Sequence, residues 1–352
     1  MLNSHLNADK KEIKMDINRE ILLKQVEFVQ PGLSIREIIE QSSCIVFKNK
    51  RMTTYNDEIS CSIKTDLDIT GAVQSAPLLS ILKSLPDENL KIEIKKDPHE
   101  LQIKAKRKKA GIRMDSEILM PIEHLEKPKK WKILPDDFSD AINLVIETAG
   151  SDEAQFILTC IRITPKWIES CNNVEASRYK MKMDIKEPLL IRRSAMSQLK
   201  DSGMIEYSET KSWIHFRNSE GLVFSCRIFI ETYPKLTNFF KVEGEEISLP
   251  TGINDMIERA SIFSSDSADS NSVQVDLTKD KVTVTGLGVS GWYKEHGKVK
   301  YKKRALSFSI SPKTLKTIID KNSPCIISKD RLKTVIGKFK YITVLGKVEE
   351  DE

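Results

Sequence analysis

Long apolar runs are absent from this 352-residue chain. None approaches the about 20 residues that a membrane-spanning helix needs, so no membrane partner is expected. No charged start followed by an apolar stretch opens the sequence, which argues against a secretory signal and for a cytoplasmic protein. The six cysteines (Cys44, Cys61, Cys160, Cys171, Cys226 and Cys325) include no CxxC pair and follow no regular spacing. Most fall in stretches that read as strands. Buried free thiols in a reducing compartment are expected, not a disulfide framework. The five histidines (His5, His99, His124, His215 and His296) are scattered, and no two stand at metal-ligand spacing. No serine or cysteine nucleophile motif occurs, and no carboxylate pair stands out. The expectation is a protein that is not an enzyme and holds neither metal nor cofactor.

What is present is material for cores and a wet surface: 39% hydrophobic and 30% charged residues. The 56 Lys and Arg against 51 Asp and Glu leave a net charge of +5, which permits a polyanion partner without arguing for one. The length favours two or three domains over a single core.

The stretch 76–114 sets the pattern. Pro77 suits the start of a helix, Leu78, Ile81, Leu82 and Leu85 share one face, and Pro86 closes it. Leu90, Ile92 and Ile94 then alternate with charged residues as in a strand. A turn at 97–99 leads to a second strand, and Ile112 and Met114 lie in a third. The same helix-then-three-strands unit returns from Ser194 and again from Ser311. A repeat of this period decides the architecture before any motif does, and it selects three domains.

In order, 1–22 reads as a flexible polar extension with a short helix over 10–21, 24–29 as the first strand and 34–41 as a helix. Ser34 and Glu37 stand at capping-box spacing, and Ile35, Ile38 and Ile39 give an apolar stripe. Strands are expected at 44–47, 52–55, 59–63 and 67–74. Linkers are expected at 121–132 and 241–249. Between them, helices are read at 136–148 and 252–263, and strands at 155–163, 167–171, 178–183 and 188–192. Further strands are read at 273–277, 281–285 and 305–310, with 264–272 a polar loop.

Gly286-Leu287-Gly288-Val289-Ser290-Gly291 matches GxGxxG after a strand, but a dinucleotide site also needs a helix to open there. None is predicted, so a flexible loop is expected; a nucleotide-binding enzyme using 286–291 is a remote alternative. The run 104–109 is densely basic and reads equally as a lysine-defended strand end or as a phosphate contact. Other bases accompany the predicted helices: Arg36, Lys83, Arg192, Arg193, Lys200, Arg259, Lys313 and Lys316. The 136–148 helix is acidic instead, with Asp136, Asp137, Asp140 and Glu147.

The three helix-plus-sheet repeats resemble the bacterial DNA polymerase III beta subunit, the sliding clamp. Residues 77–94 with the Ser84-Leu85-Pro86-Asp87 helix end look like that family's first domain. Tyr233-Pro234-Lys235-Leu236 stands where the family has a Phe-Pro-Asp-Tyr-like segment, and 260–264 resembles the end of its domain-three helix. The resemblance covers about 23–348 and implies an α+β DNA clamp fold, possibly of a divergent, phage-type clamp. It has three tandem clamp-like domains, each a pair of helix-plus-antiparallel-sheet halves, forming half of a closed ring. The bounds it implies are 1–22 extension, 23–127, 128–247 and 248–348 for the three domains, and 349–352 acidic tail.

By the same resemblance the chain would be a homodimeric processivity factor that encircles duplex DNA without reading sequence. DNA polymerase and a clamp loader would bind through a short peptide motif. DNA-facing candidates are Arg36, Lys83, Arg193, Lys200, Arg259 and Lys316. The dimer interface would join Ile262 and Phe263 to Ile112 and Met114. Leu158, Ala176, Ser177, Arg178, Tyr179, Ile342, Val344, Leu345 and Gly346 would line the partner-peptide pocket. The sequence departs from the family there: in 172–179 only Arg178 matches cleanly, and the usual Met-Pro-Met-Arg-Leu ending reads Val344-Leu345-Gly346-Lys347-Val348. The alternative this leaves is a clamp-fold interaction scaffold that does not encircle DNA.

Overall fold

The computed structural model describes residues 14–86, 88–200, 202–264, 272–328 and 330–344. The chain opens with β1 (Lys14–Asn18), α1 (Arg19–Val29), β2 (Cys44–Lys48), β3 (Arg51–Tyr55), β4 (Ile59–Lys64) and β5 (Gly71–Gln74). Then come α2 (Ser75–Ser84), β6 (Asn89–Lys96), β7 (His99–Ala105), β8 (Lys108–Asp115) and β9 (Lys132–Ile133). Helix α3 (Phe138–Val145) is followed by β10 (Cys160–Ile163), β11 (Trp167–Cys171), β12 (Glu175–Lys180) and β13 (Leu189–Arg192). Helix α4 (Arg193–Leu199) leads to β14 (Met204–Glu209), β15 (Trp213–Asn218), β16 (Val223–Arg227) and β17 (Glu245–Ser248). Helix α5 (Asn254–Ser264) precedes β18 (Val273–Thr278), β19 (Lys281–Gly288), β20 (Gly291–Lys298) and β21 (Leu306–Ile310). Last are α6 (Pro312–Asp320), β22 (Pro324–Ile327), β23 (Arg331–Ile336) and β24 (Phe339–Val344). Each helix is thus followed by a run of antiparallel strands, as the repeat in the sequence implies.

The chain divides into two compact units, Met1–Ser139 with Leu189–Ile230, and Asp140–Pro188 with Glu231–Glu352. The first holds a 12-stranded sheet in the order β1-β6-β7-β8-β5-β2-β3-β4-β16-β15-β14-β9. In the second, β10-β11-β12-β24-β23-β22-β17 follow one another in one sheet, and β20-β19-β18-β21 form another.

The alternating apolar pattern sets the register. Ile92 faces Ile103, and Leu101 faces Ile112. All these side chains are buried. Leu78 and Leu82 of α2 are fully buried, one helical turn apart. Burying such side chains contributes roughly 1.5–3 kcal/mol each.

Three stretches differ from the sequence reading. Residues 24–29 are not a strand: they belong to α1. Asn18 caps that helix, its side-chain oxygen accepting from the Glu20 and Ile21 amides at 2.9 and 3.2 Å. Leu22, Val26 and Val29 bury its apolar stripe. Residues 14–22 are therefore not a flexible extension, since β1 pairs with β6 and α1 follows at once; residues 1–13 lie outside the described set. No helix forms at 34–41. The Ser34 hydroxyl donates to the Arg36 carbonyl at 2.6 Å, and the Glu37 carboxylate takes the Gln41 amide and the Ser43 hydroxyl. The capping residues close a turn instead, and Ile35 and Ile38 are left exposed. Residues 153–159 form 3-10 turns, so β10 starts only at Cys160. All six cysteines are buried free thiols.

Candidate nucleic-acid and partner interfaces

The predicted DNA-facing cations occupy different settings. Arg36 is exposed in the 34–41 turn, off any helix. Lys83 stands in the last turn of α2 with its ammonium 3.2 Å from the Glu27 carboxylate of α1. Arg193 opens α4 and Lys200 caps its end; both are half-buried and already engaged with other groups of the chain. Arg259 leaves α5 to grip β20. It donates to both Glu295 carboxylate oxygens at 2.8 and 2.9 Å and to the Tyr293 hydroxyl at 3.1 Å. Those bonds hold the Glu295 carboxyl below the ordinary carboxylate range. Lys316 of α6 pairs with Glu258 of α5. Of the acids noted on and after α3, Glu147 pairs with Lys313, while Asp136 and Asp140 are exposed.

The dimer candidates split. Ile262 is 64% exposed on α5, and Phe263 beside it stacks on Tyr293 with ring centroids 6.4 Å apart. Leu287, Val289 and Trp292 of the β19–β20 hairpin are exposed as well, and β20 is an edge strand. Ile112 and Met114 are different: both are buried in the core of the first unit, because the alternation of β8 points them inward. They are not free to meet a second chain.

The GxGxxG stretch is neither a phosphate loop nor a flexible connection. Residues 286–288 end β19, Gly291 starts β20, and the strands pair from Lys281 with Lys298 to Gly288 with Gly291. Gly286 is glycine because α5 crosses it. A Cβ there would overlap the Ala260 carbonyl. Gly291 has φ +146° and lies against the Phe263 ring.

The predicted peptide pocket falls on the β12–β24 pair, where Ala176 faces Ile342, Ser177 faces Tyr341 and Arg178 faces Lys340. Opposed residues share a face of the sheet, and neighbours along a strand alternate. Ala176, Arg178, Ile342 and Val344 therefore lie on one face, with Ser177 and Tyr179 on the other. Ser177 belongs to a buried hydroxyl cluster. Its Oγ is 2.6 Å from Thr148 Oγ1, which is 2.5 Å from Ser170 Oγ. Ser177 therefore lines no pocket. Leu158 is half-buried in the 3-10 stretch, Val344 is 38% exposed, and Leu345 and Gly346 lie outside the described residues.

On the Arg178 face, the 233–240 segment covers the sheet. Tyr233, Leu236 and Phe240 are buried there, and so are Ala176 and Ile342. The Arg178 guanidinium lies 3.8 Å from the Phe240 ring centroid and 5.0 Å from that of Trp167. Arg162 donates to Glu169 at 3.0 Å and lies over Tyr233 at 5.9 Å. Burial raises the Glu169 pKa, and the charges of Arg162 and Arg178 oppose that rise. Beyond this covered part the face is cationic. Lys180, Lys340 and Lys333 stand on three neighbouring strands, and the Lys340 ammonium is 5.4 Å from the Trp167 ring.

Sequence reasoning passed over a second basic run, Lys298 to Arg304. Lys300, Tyr301, Lys302 and Lys303 line a groove of about 740 Å³ with Glu246, Ile247 and Ser248. Tyr301 is buried and donates to the Arg304 carbonyl at 2.8 Å, which fixes the lysines that flank it. The spacing Lys-x-Lys-x-Lys-Lys-Arg was the available signal. Among the described residues no cluster of His, Cys, Asp and Glu could hold a metal ion. No helix is long and apolar enough to cross a membrane.

No protein-family model matches the sequence, and no curated protein sequence matches it. Solved structures do match the fold. A putative DNA polymerase III beta subunit from Eubacterium rectale superposes with TM-score 0.78 at 14% identity. The DNA polymerase III beta chain from Streptococcus pneumoniae gives 0.77 at 17%, and the DNA polymerase sliding clamp from Bacillus subtilis 0.76 at 16%. Each match covers 96% of this chain and 100% of the other. The chain has the fold of the DNA polymerase III beta-subunit sliding clamps, with nothing of the fold left over on the clamp side.

Proposed function

We propose that this chain is a DNA polymerase processivity clamp, a non-enzymatic ring that holds duplex DNA without reading its sequence and tethers polymerase to it. The observation that carries the reading is the match along the whole length of three clamps from different bacteria. In this reading the three clamp domains are 14–127, 128–247 and 248–348, the first opening at β1 because that strand pairs with β6. Two copies would close head to tail through β20 and the exposed Ile262, Leu287, Val289 and Trp292. Covering that edge also removes an unpaired strand from solvent.

DNA would be met by phosphate contacts alone, with Arg36, Lys83, Arg193, Lys200, Arg259 and Lys316 as candidates. The polymerase and loader would reach the Arg178 face of the β12–β24 pair. A second reading, a clamp-fold scaffold that does not encircle DNA, is favoured by the carboxylate partners of Lys83, Arg259 and Lys316 and by the exposed Asp136 and Asp140.

Light scattering at micromolar protein, with and without duplex DNA, tests the first reading. A mass near twice 40.1 kDa is the expected result. A strict monomer moves the scaffold ahead, and a trimer contradicts closure by two three-domain chains.

A further inference from the structure

We propose that the cationic part of the β12–β24–β23 face binds an extended acidic peptide segment of a partner protein, with carboxylates at alternate positions. The proposal rests on the clamp reading only for the partner's role, not for its chemistry.

Lys180, Lys340 and Lys333 run diagonally across β12, β24 and β23: Lys340 faces Arg178, two residues from Lys180, and Lys333 faces Ile342, two residues from Lys340. Diagonal neighbours on a sheet stand about 7–8 Å apart, close to the roughly 6.5–7 Å between alternate side chains of an extended peptide. None of the three ammonium groups is ion-paired among the described residues. Lys340 is held below the ordinary lysine pKa first by burial and then by Arg178, Lys333 and Lys180, so the cluster already repels itself. The nearest carboxylate on this face, Glu169, is buried and committed to Arg162. An acidic chain would relieve that repulsion.

Apolar surface lies at both ends of the lysine diagonal. Trp167 is half-buried beneath Lys340, and Val335 is 40% exposed beside it. Alternating acid and apolar side chains would therefore find partners on one surface. The face lies opposite the side on which the α3 end bonds to Ser170 and Ser177. A peptide there would leave the helices free.

The test uses the full chain and a fluorescein-labelled peptide that alternates glutamate with leucine and ends in phenylalanine, followed by polarisation. The expected result is binding that weakens with salt, is lost when glutamine replaces glutamate, and falls about tenfold in a Lys180→Glu, Lys333→Glu, Lys340→Glu variant. A Lys180→Gln variant, changing one exposed side chain, should show a smaller loss and guards against misfolding of the triple variant. Equal binding of the glutamine peptide would overturn the proposal, since the face would then be an apolar pocket. Displacement of the peptide by duplex DNA, with loss of DNA binding in the triple variant, would overturn it in favour of a nucleic-acid surface. Light scattering of the same samples separates the two claims: acidic-peptide binding by a monomer would uphold this site while sinking the ring.

Discussion

Gly286 lies beneath Ala260, strand against helix, with no room for a side chain between them. The first glycine of the GxGxxG stretch therefore serves packing of α5 on β19, not phosphate binding. Gly286→Ala should destabilise the chain by about 1–3 kcal/mol, because the obstacle is backbone and cannot rotate aside. Urea unfolding measures it. Adding ATP or NAD should leave the melting temperature unchanged, and a clear upward shift would revive the nucleotide reading.

Ile262 and Leu287 are exposed, whereas Phe263 stacks on Tyr293. Ile262→Asp with Leu287→Asp should thus yield a folded monomer near 40.1 kDa, since charges would have to be buried in any apolar contact made there. Persistence of the dimer would place the interface elsewhere. Phe263→Asp is the poorer probe, because it would also disturb the α5 packing.

His215 is buried in β15, its Nδ1 2.8 Å from Ser225 Oγ. Burial lowers its pKa to about 4, and Glu126 opposes the fall only in part. Above the unfolded value of about 6.5 the ring is neutral in both states and no effect is expected. Between that value and about 4 the unfolded chain takes up a proton that the folded one refuses, so stability falls as pH falls. The loss is of order 3 kcal/mol once pH is below both values. Comparing denaturant unfolding of the wild type and a His215→Gln variant from pH 7.5 to 4 isolates the histidine: the wild type should lose more stability over that range. Parallel curves would refute the assignment.

Thr148, Ser170 and Ser177 share one buried hydroxyl cluster that ends on the Val145 carbonyl. Thr148→Val should cost about 1–3 kcal/mol by stranding its two partners. Ser177→Ala should cost about 1 kcal/mol and leave peptide binding intact, since Ser177 points away from the Arg178 face. A large loss of peptide affinity in the Ser177 variant would return that residue to the pocket.

Strong periodicity was legible, and local chemistry with two uses was not. Helix α2 and strands β6 to β8 follow from Leu78, Leu82, Leu90, Ile92 and Ile103, whose spacing admits one solution. Ser34 and Glu37 satisfy capping-box spacing, yet the same groups close a turn as readily, and only the surrounding backbone decides. Residues 24–29 carry both strand and helix periods; the Asn18 cap upstream selected the helix. β20, Gly-Trp-Tyr-Lys-Glu-His-Gly-Lys, was missed because an edge strand needs no alternating apolar face. In the partner site, residues contiguous in sequence were grouped together, whereas the period of two sends Ser177 and Arg178 to opposite sides of the sheet.

The burial of all six cysteines has a practical consequence. Burial pushes the Cys325 thiol up to about 12 and raises those of Cys44, Cys61, Cys171 and Cys226 as well. At neutral pH the native chain is therefore nearly silent toward alkylating dyes, and any rapid labelling reports opening of a core. A cysteine introduced by Val289→Cys, at a position 87% exposed, would be the one fast site. Without removing a single native thiol, a fluorophore pair could then follow two protomers meeting and parting in real time.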